Sequence, residues 1–313
     1  LRIARFATGN RGIIVSNFSY HGNSQLLASV TTAFPVPEDF ADFARAVPIP
    51  DPFLATGDLS LDEQARLHAE KVAQAVASLQ ASGHGVAALL MDASFANEGL
   101  PRLVAGYLAQ AVAHVRAAGG LFIADEVQGG FGRTGKTIWA HQAQEVIADI
   151  VTLGKPMGNG HPVAGVIAPL DMVEAFENAA PYFNTFGGNP VSAAAGIAVL
   201  DVIEREDLIA NAATLGAYVE QGLLDLQDRH AIIGDVRTRG MFFGLNLVED
   251  RSTKVPATQL TKQLVNRMKD LGVLIGRIGP HDNILKMRPS MVFRKEHADI
   301  LLETLDRALA EFQ

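Results

Sequence analysis

Lysine is scarce in this chain: Lys71, Lys136 and Lys155 are the only ones among residues 1–253. Lys71 falls in an amphipathic segment, where a solvated charge on a long apolar stem is the ordinary expectation. Lys136 ends Gly132-Arg133-Thr134-Gly135-Lys136, a turn-rich string expected to be wet. Lys155 differs. It follows the strand-like run 149–154 and leads into Pro156-Met157-Gly158-Asn159-Gly160-His161-Pro162. That places it at the carboxyl end of a strand, where open α/β sheets bind ligands. Pro156 disfavours helical geometry at Lys155, and the glycines allow close approach of backbone to a ligand. A lysine so placed is expected to be partly desolvated, which favours the free amine, a nucleophile for a carbonyl carbon. The competing reading is a structural lysine at a sheet edge.

Further upstream, Leu121-Phe122-Ile123-Ala124-Asp125-Glu126-Val127-Gln128 is an apolar run that ends in carboxylates. Parallel strands would bring Asp125 to the same sheet edge as Lys155. A carboxylate there can hold a protonated pyridine nitrogen, the pairing that makes pyridoxal phosphate an electron sink. Otherwise a buried Asp calls for a metal or a cationic partner. No metal is expected: the nine histidines are scattered, no His-Glu-x-x-His occurs, and there is no cysteine.

Gly130-Phe131-Gly132-Arg133-Thr134-Gly135-Lys136-Thr137 matches the phosphate-loop pattern G-x-x-x-x-G-K-[ST], which makes a P-loop ATPase a remote alternative. Its context disagrees. Asp125 and Glu126 would set negative charge beside a triphosphate, and no clear helix start follows Thr137. A turn is the expected structure. Tyr20-His21-Gly22 follows a strand-like run and could lay an aromatic face over a flat cofactor, against ordinary packing as the alternative. Thr185, in Asn184-Thr185-Phe186-Gly187-Gly188-Asn189-Pro190, could offer its hydroxyl and nearby amides to a phosphate, against a plain N-cap turn.

These residues need a scaffold, and the pattern predicts one. Short apolar runs at 13–16, 86–91, 121–124, 149–153 and 163–168 read as buried strands. Between them come a helix opened by the capping-box string Ser60-Leu61-Asp62-Glu63 and running to about 80, and another that begins near Pro101 and stops at Gly119-Gly120. Such alternation predicts an α/β architecture with a mostly parallel sheet flanked by helices, as the large domain over residues 1–200. Residues 201–313 read as a smaller C-terminal α+β domain. It has helices over 207–229 and at the end of the chain, and strands at 232–236, 241–248, 273–275 and 284–287. The apolar helix from Pro190 to about Glu204 would join the two. The stretch 34–53, with five prolines, reads as a long loop. The 313 residues suffice for two cores, and 48% apolar with 19% charged residues excludes disorder. A net charge of −8 argues against nucleic-acid or anionic-membrane partners, and no apolar run is long enough for a membrane span. The lack of cysteine fits a cytoplasmic location.

Taken together, the motifs Tyr20-His21-Gly22, Asp125-Glu126-Val127-Gln128, Gly130-Phe131-Gly132-Arg133-Thr134-Gly135, Gly154-Lys155 and Thr185-Phe186-Gly187-Gly188-Asn189-Pro190 resemble, in order and separation, the class III branch of fold-type I pyridoxal-phosphate aminotransferases. The resemblance implies a Schiff base between Lys155 and the cofactor, with Lys155 later moving a proton. It implies Asp125 on the pyridine nitrogen, Val127 packed on the ring, Gln128 on the ring oxygen and Tyr20 stacked opposite, with His21 among the cofactor-binding residues. Thr185 would reach the cofactor phosphate of the other subunit, which implies a homodimer with shared active sites. The family's other phosphate loop would lie upstream of Leu1, so a longer chain is expected.

The resemblance implies an aminotransferase that moves an amino group from an amino acid or amine to a keto acid. Two departures bear on substrate. Asp92-Ala93 stands where many members have Glu-Pro, and Lys286 stands where many carry an arginine that grips a substrate carboxylate. The strings 154–162 and Leu285-Lys286 particularly resemble the ethanolamine-phosphate phospho-lyase-like members. Elimination of phosphate from an amino-alcohol phosphate such as phosphoethanolamine is therefore the alternative.

Overall fold

The computed structural model describes residues 1–55, 57 and 59–312. The chain forms two compact units. The first comprises 1–94, 103–131 and 139–205, and the second 95–102, 132–138 and the chain from 206 onward.

The first unit holds α1 (Arg2–Thr8), β1 (Ile13–Ser16), α2 (Gln25–Ala28), β2 (Ala44–Val47), α3 (Leu61–Ala81), β3 (Ala88–Met91), α4 (Tyr107–Ala117), β4 (Leu121–Asp125), β5 (Ile150–Leu153), β6 (Gly165–Ile167), α5 (Leu170–Ala179) and α6 (Pro190–Arg205). Its sheet runs β2-β1-β3-β4-β5-β6. The first five strands are parallel, and β6 pairs antiparallel with β5 at the edge. Every residue of β1 and β3 is buried, as expected of central parallel strands covered on both faces. The core packs Ile13, Val15, Val30, Ala88, Leu90, Ile123 and Ile150 together. The expected capping box opens α3: the Ser60 hydroxyl accepts from the Glu63 amide, and Glu63 takes the Ser60 backbone N–H in return.

Two expectations in this unit are corrected. The proline-rich stretch is not all loop, because Ala44–Val47 pairs along the whole of β1 as the edge strand and the prolines fall outside it. The helix expected from Pro101 starts only at Tyr107, behind Gly106 with φ +77°. Upstream, in the stretch that belongs to the second unit, Arg237 Nη1 donates to the Gly99 carbonyl and Arg239 Nη2 to the Pro101 carbonyl, each at 2.9 Å.

The second unit holds α7 (Leu208–Arg229), β7 (Ile233–Arg239), β8 (Phe242–Leu247), α8 (Thr258–Asp270), β9 (Gly276–Ile278), β10 (Ile284–Met287) and α9 (Lys295–Ala310). Its antiparallel sheet runs β7-β8-β10-β9. The three helices cover it through a core that includes Leu215, Val219, Phe243, Leu245, Leu264, Leu285, Leu301 and Leu305. The strand expected at 273–275 lies at 276–278 instead, because the register against β10 pairs Gly276 with Lys286 and Ile278 with Ile284. Among the described residues no helix is long and apolar enough to cross a membrane.

Candidate functional site

Within the first unit, β1 pairs with β2 on one side and β3 on the other, so successive connections leave in opposite directions. Such a reversal opens a crevice at the carboxyl ends of the strands, the usual place for a ligand. Tyr20, His21 and Gly22 follow β1, Asp92 follows β3, Asp125, Val127 and Gln128 come from the end of β4, and Lys155 follows β5. Together they line one cavity of about 140 Å³.

Asp125 is buried. Its Oδ2 lies 2.6 Å from His21 Nδ1, and its Oδ1 accepts from the Val127 amide at 3.0 Å. The His21 side chain is 3% exposed, and its Nε2 is buried with no hydrogen-bond partner among the described residues. Tyr20 rests its ring against Phe34, with centroids 5.0 Å apart. Asp92, also buried, receives the Ser94 amide at 2.7 Å. Adjacent β4 and β5 carry Asp125 opposite Thr152, so the parallel pairing puts Asp125 and Lys155 at one sheet edge, as the sequence predicts.

Lys155 has φ +35°, a conformation that a residue with a side chain adopts only under local constraint. Pro156 follows at once and Asn159, at φ +44°, closes the 3-10 turn. The expectation of partial desolvation is corrected: Lys155 is exposed, although it is among the residues that line the cavity. Thr185 is exposed too, and it does not line the cavity. Its turn, pinned by Asn184 Oδ1 accepting from the Phe186 and Gly187 amides, leads into α6.

The phosphate-loop look-alike forms turns, with a 3-10 turn at Ala140–Gln144 after it instead of an α-helical N-terminus. Its Arg133 donates to the Met241 and Pro289 carbonyls at 3.2 and 2.9 Å, and burial together with Arg288 lowers its pKa to about 10. Among the described residues no cluster of His, Asp and Glu could hold a metal ion. Lys286, which stands where many members of the resembled family carry an arginine, is buried in the second unit and donates its ammonium to the Ala96 carbonyl.

The pyridoxal phosphate implied by the resemblance fits this set. A carboxylate held by two N–H donors can receive a ring N–H, an exposed amine lining the cavity can reach an aldehyde, and Tyr20 and Val127 supply flanking surface. The orphaned His21 Nε2 marks a place where a further polar partner is called for. Two residues were not singled out for the cofactor from sequence: Asp92, although Met91-Asp92 repeats the strand-then-acid signal of Ala124-Asp125, and Glu126, which gives no local signal of its partner.

A family model described as aminotransferase class-III matches residues 1–309. A phospholyase from Arthrobacter, solved in complex with phosphoethanolamine, is 48% identical and superposes with a TM-score of 0.95, covering 99% of this chain and 73% of that one. Alanine–glyoxylate aminotransferase 2 homolog 2, mitochondrial, of Arabidopsis thaliana is 39% identical over 315 residues, which is 99% of this chain and 64% of that protein. The chain therefore spans less than two thirds of the plant protein's length. Ethanolamine-phosphate phospho-lyase homolog 1 of Caenorhabditis elegans is 36% identical over 330 residues, 99% of this chain and 69% of that protein. With a matching model over nearly its full length and the strand-end site described above, the chain belongs to the class-III aminotransferases, a fold-type I family dependent on pyridoxal phosphate.

Proposed function

We propose that this chain serves a pyridoxal-phosphate enzyme that eliminates phosphate from an amino-alcohol phosphate such as phosphoethanolamine. The observation that carries this reading is Lys286. Where the resemblance places an arginine fork for a substrate carboxylate, this chain has a buried ammonium engaged by the Ala96 carbonyl. A substrate without a carboxylate does not need that fork. The likeness to the Arthrobacter phospholyase, at 48% identity, supports the same choice.

When bound, pyridoxal phosphate supplies an electron sink for charge developing on the amine-bearing carbon. Asp125 holds the proton on the ring nitrogen, and His21 orients Asp125. Val127 and Tyr20 would flank the ring, and Gln128 would take its ring oxygen. Lys155 would be the amine that holds the cofactor and would accept the proton from the substrate carbon; its short, strained turn limits its direction of approach. Thr185 binds the cofactor phosphate of a second subunit in a homodimer. That part of the proposal draws support from the exposed apolar surface around it, where Phe183, Phe186 and Val191 are 84%, 79% and 67% exposed. The cysteine-free composition is compatible with a cytoplasmic location, and small molecules are the only partners proposed besides the second subunit.

The second reading is transamination from an amine or amino acid to a keto acid, favoured by the aminotransferase relatives. Incubation with phosphoethanolamine separates the two. Release of phosphate, ammonia and acetaldehyde without a keto acid supports elimination. Acceptor-dependent appearance of a new amino acid, with no phosphate released, overturns it in favour of transamination.

A further inference from the structure

Glu126, between Asp125 and Val127 on the chain, is wholly buried and is not itself among the residues that line the cavity. Its carboxylate accepts three hydrogen bonds from one short segment: the Ala140 amide at 2.8 Å, the His141 amide at 2.9 Å and His141 Nδ1 at 2.6 Å. Its own amide donates to the Thr152 carbonyl on β5, and its carbonyl accepts from the Gly130 amide. Around this carboxylate the packing is tight. A Cβ on Gly129 would come within 2.4 Å of Ser94 Oγ and 2.7 Å of Ala140 Cβ, and one on Gly130 within 2.7 Å of the Glu126 carbonyl oxygen. The Phe131 and Trp139 rings meet edge to face at 5.2 Å. Gln144 ties the far end of the segment to the Ala93 carbonyl at 2.7 Å.

The chain leaves this unit after Phe131 and re-enters it at Trp139. A loop with free ends at its base would let Val127 and Gln128 move with every excursion of residues 132–138. We infer that Glu126 and His141 are positioning residues: they clasp the base of that excursion and so fix Asp125, Val127 and Gln128 against the cofactor. The inference rests on the cofactor reading above. A buried carboxylate satisfied by two backbone amides and an imidazole is costly to disturb, because each lost donor leaves an acceptor without water. Glu126→Gln replaces one acceptor oxygen by an amide NH₂ that faces backbone N–H groups. His141→Ala removes one of the three donors, and His141→Gln returns an N–H.

The test compares Glu126→Gln, His141→Ala and His141→Gln in the whole protein, with Ser60→Ala as a destabilised control remote from the site. Three readouts are taken: amide exchange at Val127 and Gly130 without cofactor, pyridoxal-phosphate affinity, and kcat against KM. Glu126→Gln and His141→Ala should speed exchange at both amides and weaken cofactor affinity. They should lower kcat by about tenfold to a hundredfold with KM little changed, the mark of lost positioning. His141→Gln should recover most of each loss, and Ser60→Ala should show none of the local effects. If Glu126→Gln does not fold, the His141 pair decides. Parental exchange, affinity and kcat in His141→Ala overturn the clasp. If the parent protein binds no pyridoxal phosphate, the cofactor reading falls by itself, while the exchange comparison still upholds or overturns the clasp.

Discussion

His21 Nδ1 lies 2.6 Å from Asp125 Oδ2, although the two residues are 104 positions apart in the chain. One leaves the carboxyl end of β1 and the other ends β4, with β3 between those strands. The imidazole and the Val127 amide each take one carboxylate oxygen, so the plane of the group is fixed from two directions. An ionised carboxylate accepts only, which assigns the proton of this contact to Nδ1.

Removing that imidazole should be felt both in stability and in the cofactor. His21→Ala leaves a buried acceptor unpaired, at a cost of about 1–3 kcal/mol in urea denaturation. Pyridoxal-phosphate affinity should fall with it. Parental values of both would show that the pair is idle.

Asp125→Ala should leave some cofactor bound, because Lys155 and the remaining contacts persist, yet turnover should drop by several orders of magnitude. Single-turnover rates with phosphoethanolamine provide the measurement. Near-normal turnover removes Asp125 from the role given to it.

Lys155→Ala should abolish the visible absorbance that the parent protein shows with pyridoxal phosphate. Borohydride treatment of the parent should fix the cofactor to the peptide containing position 155, as mass spectrometry would show. Labelling elsewhere, with position 155 unmodified, would move the chemistry to another amine.

The proposed subunit sharing is open to complementation. Lys155→Ala and Thr185→Ala preparations, unfolded together and refolded as a mixture, should regain activity above the sum of the two refolded apart. In a mixed dimer one site has both residues intact. No gain, in a preparation shown by sedimentation to be dimeric, would confine each site to one chain.

The α3 capping box gives a pH dependence with a definite sign. The Ser60 hydroxyl donates to Glu63 Oε2 at 2.7 Å and its backbone N–H at 2.9 Å, and these bonds hold the Glu63 carboxyl below its ordinary pKa. A depressed pKa in the folded state means stability that is present above the unfolded value and lost as pH falls through the folded one. The difference in Tm between the parent and Glu63→Ala should therefore be widest near neutrality and narrow on acidification below the ordinary glutamate range. Ser60→Ala should cost about 1 kcal/mol at neutral pH through loss of the N-cap. A Tm gap that widens in acid would contradict the sign.

What could be read from the sequence by itself was local. Buried parallel strands announce themselves as short apolar runs, as Ile13-Ile14-Val15 does, and all four residues of Ile13–Ser16 are buried. The ends of elements were legible where one side chain bonds a backbone group three residues away, as at Ser60 and Glu63. Lys155 and Asp125 stood out because each follows such a run directly. Tertiary structure decided the rest, since it depends on partners far along the chain. Ala44–Val47 pairs as a strand because β1 lies beside it, and α4 starts late, behind Gly106, while Arg237 and Arg239 take the Gly99 and Pro101 carbonyls upstream. Lys286 reads as a free cation until the Ala96 carbonyl is brought to it, and Glu126 reads as a second acid until His141 closes on it. Spacing along a chain carries periodicity, whereas the pairing of a buried charge is settled by whichever donor the fold delivers within hydrogen-bond reach.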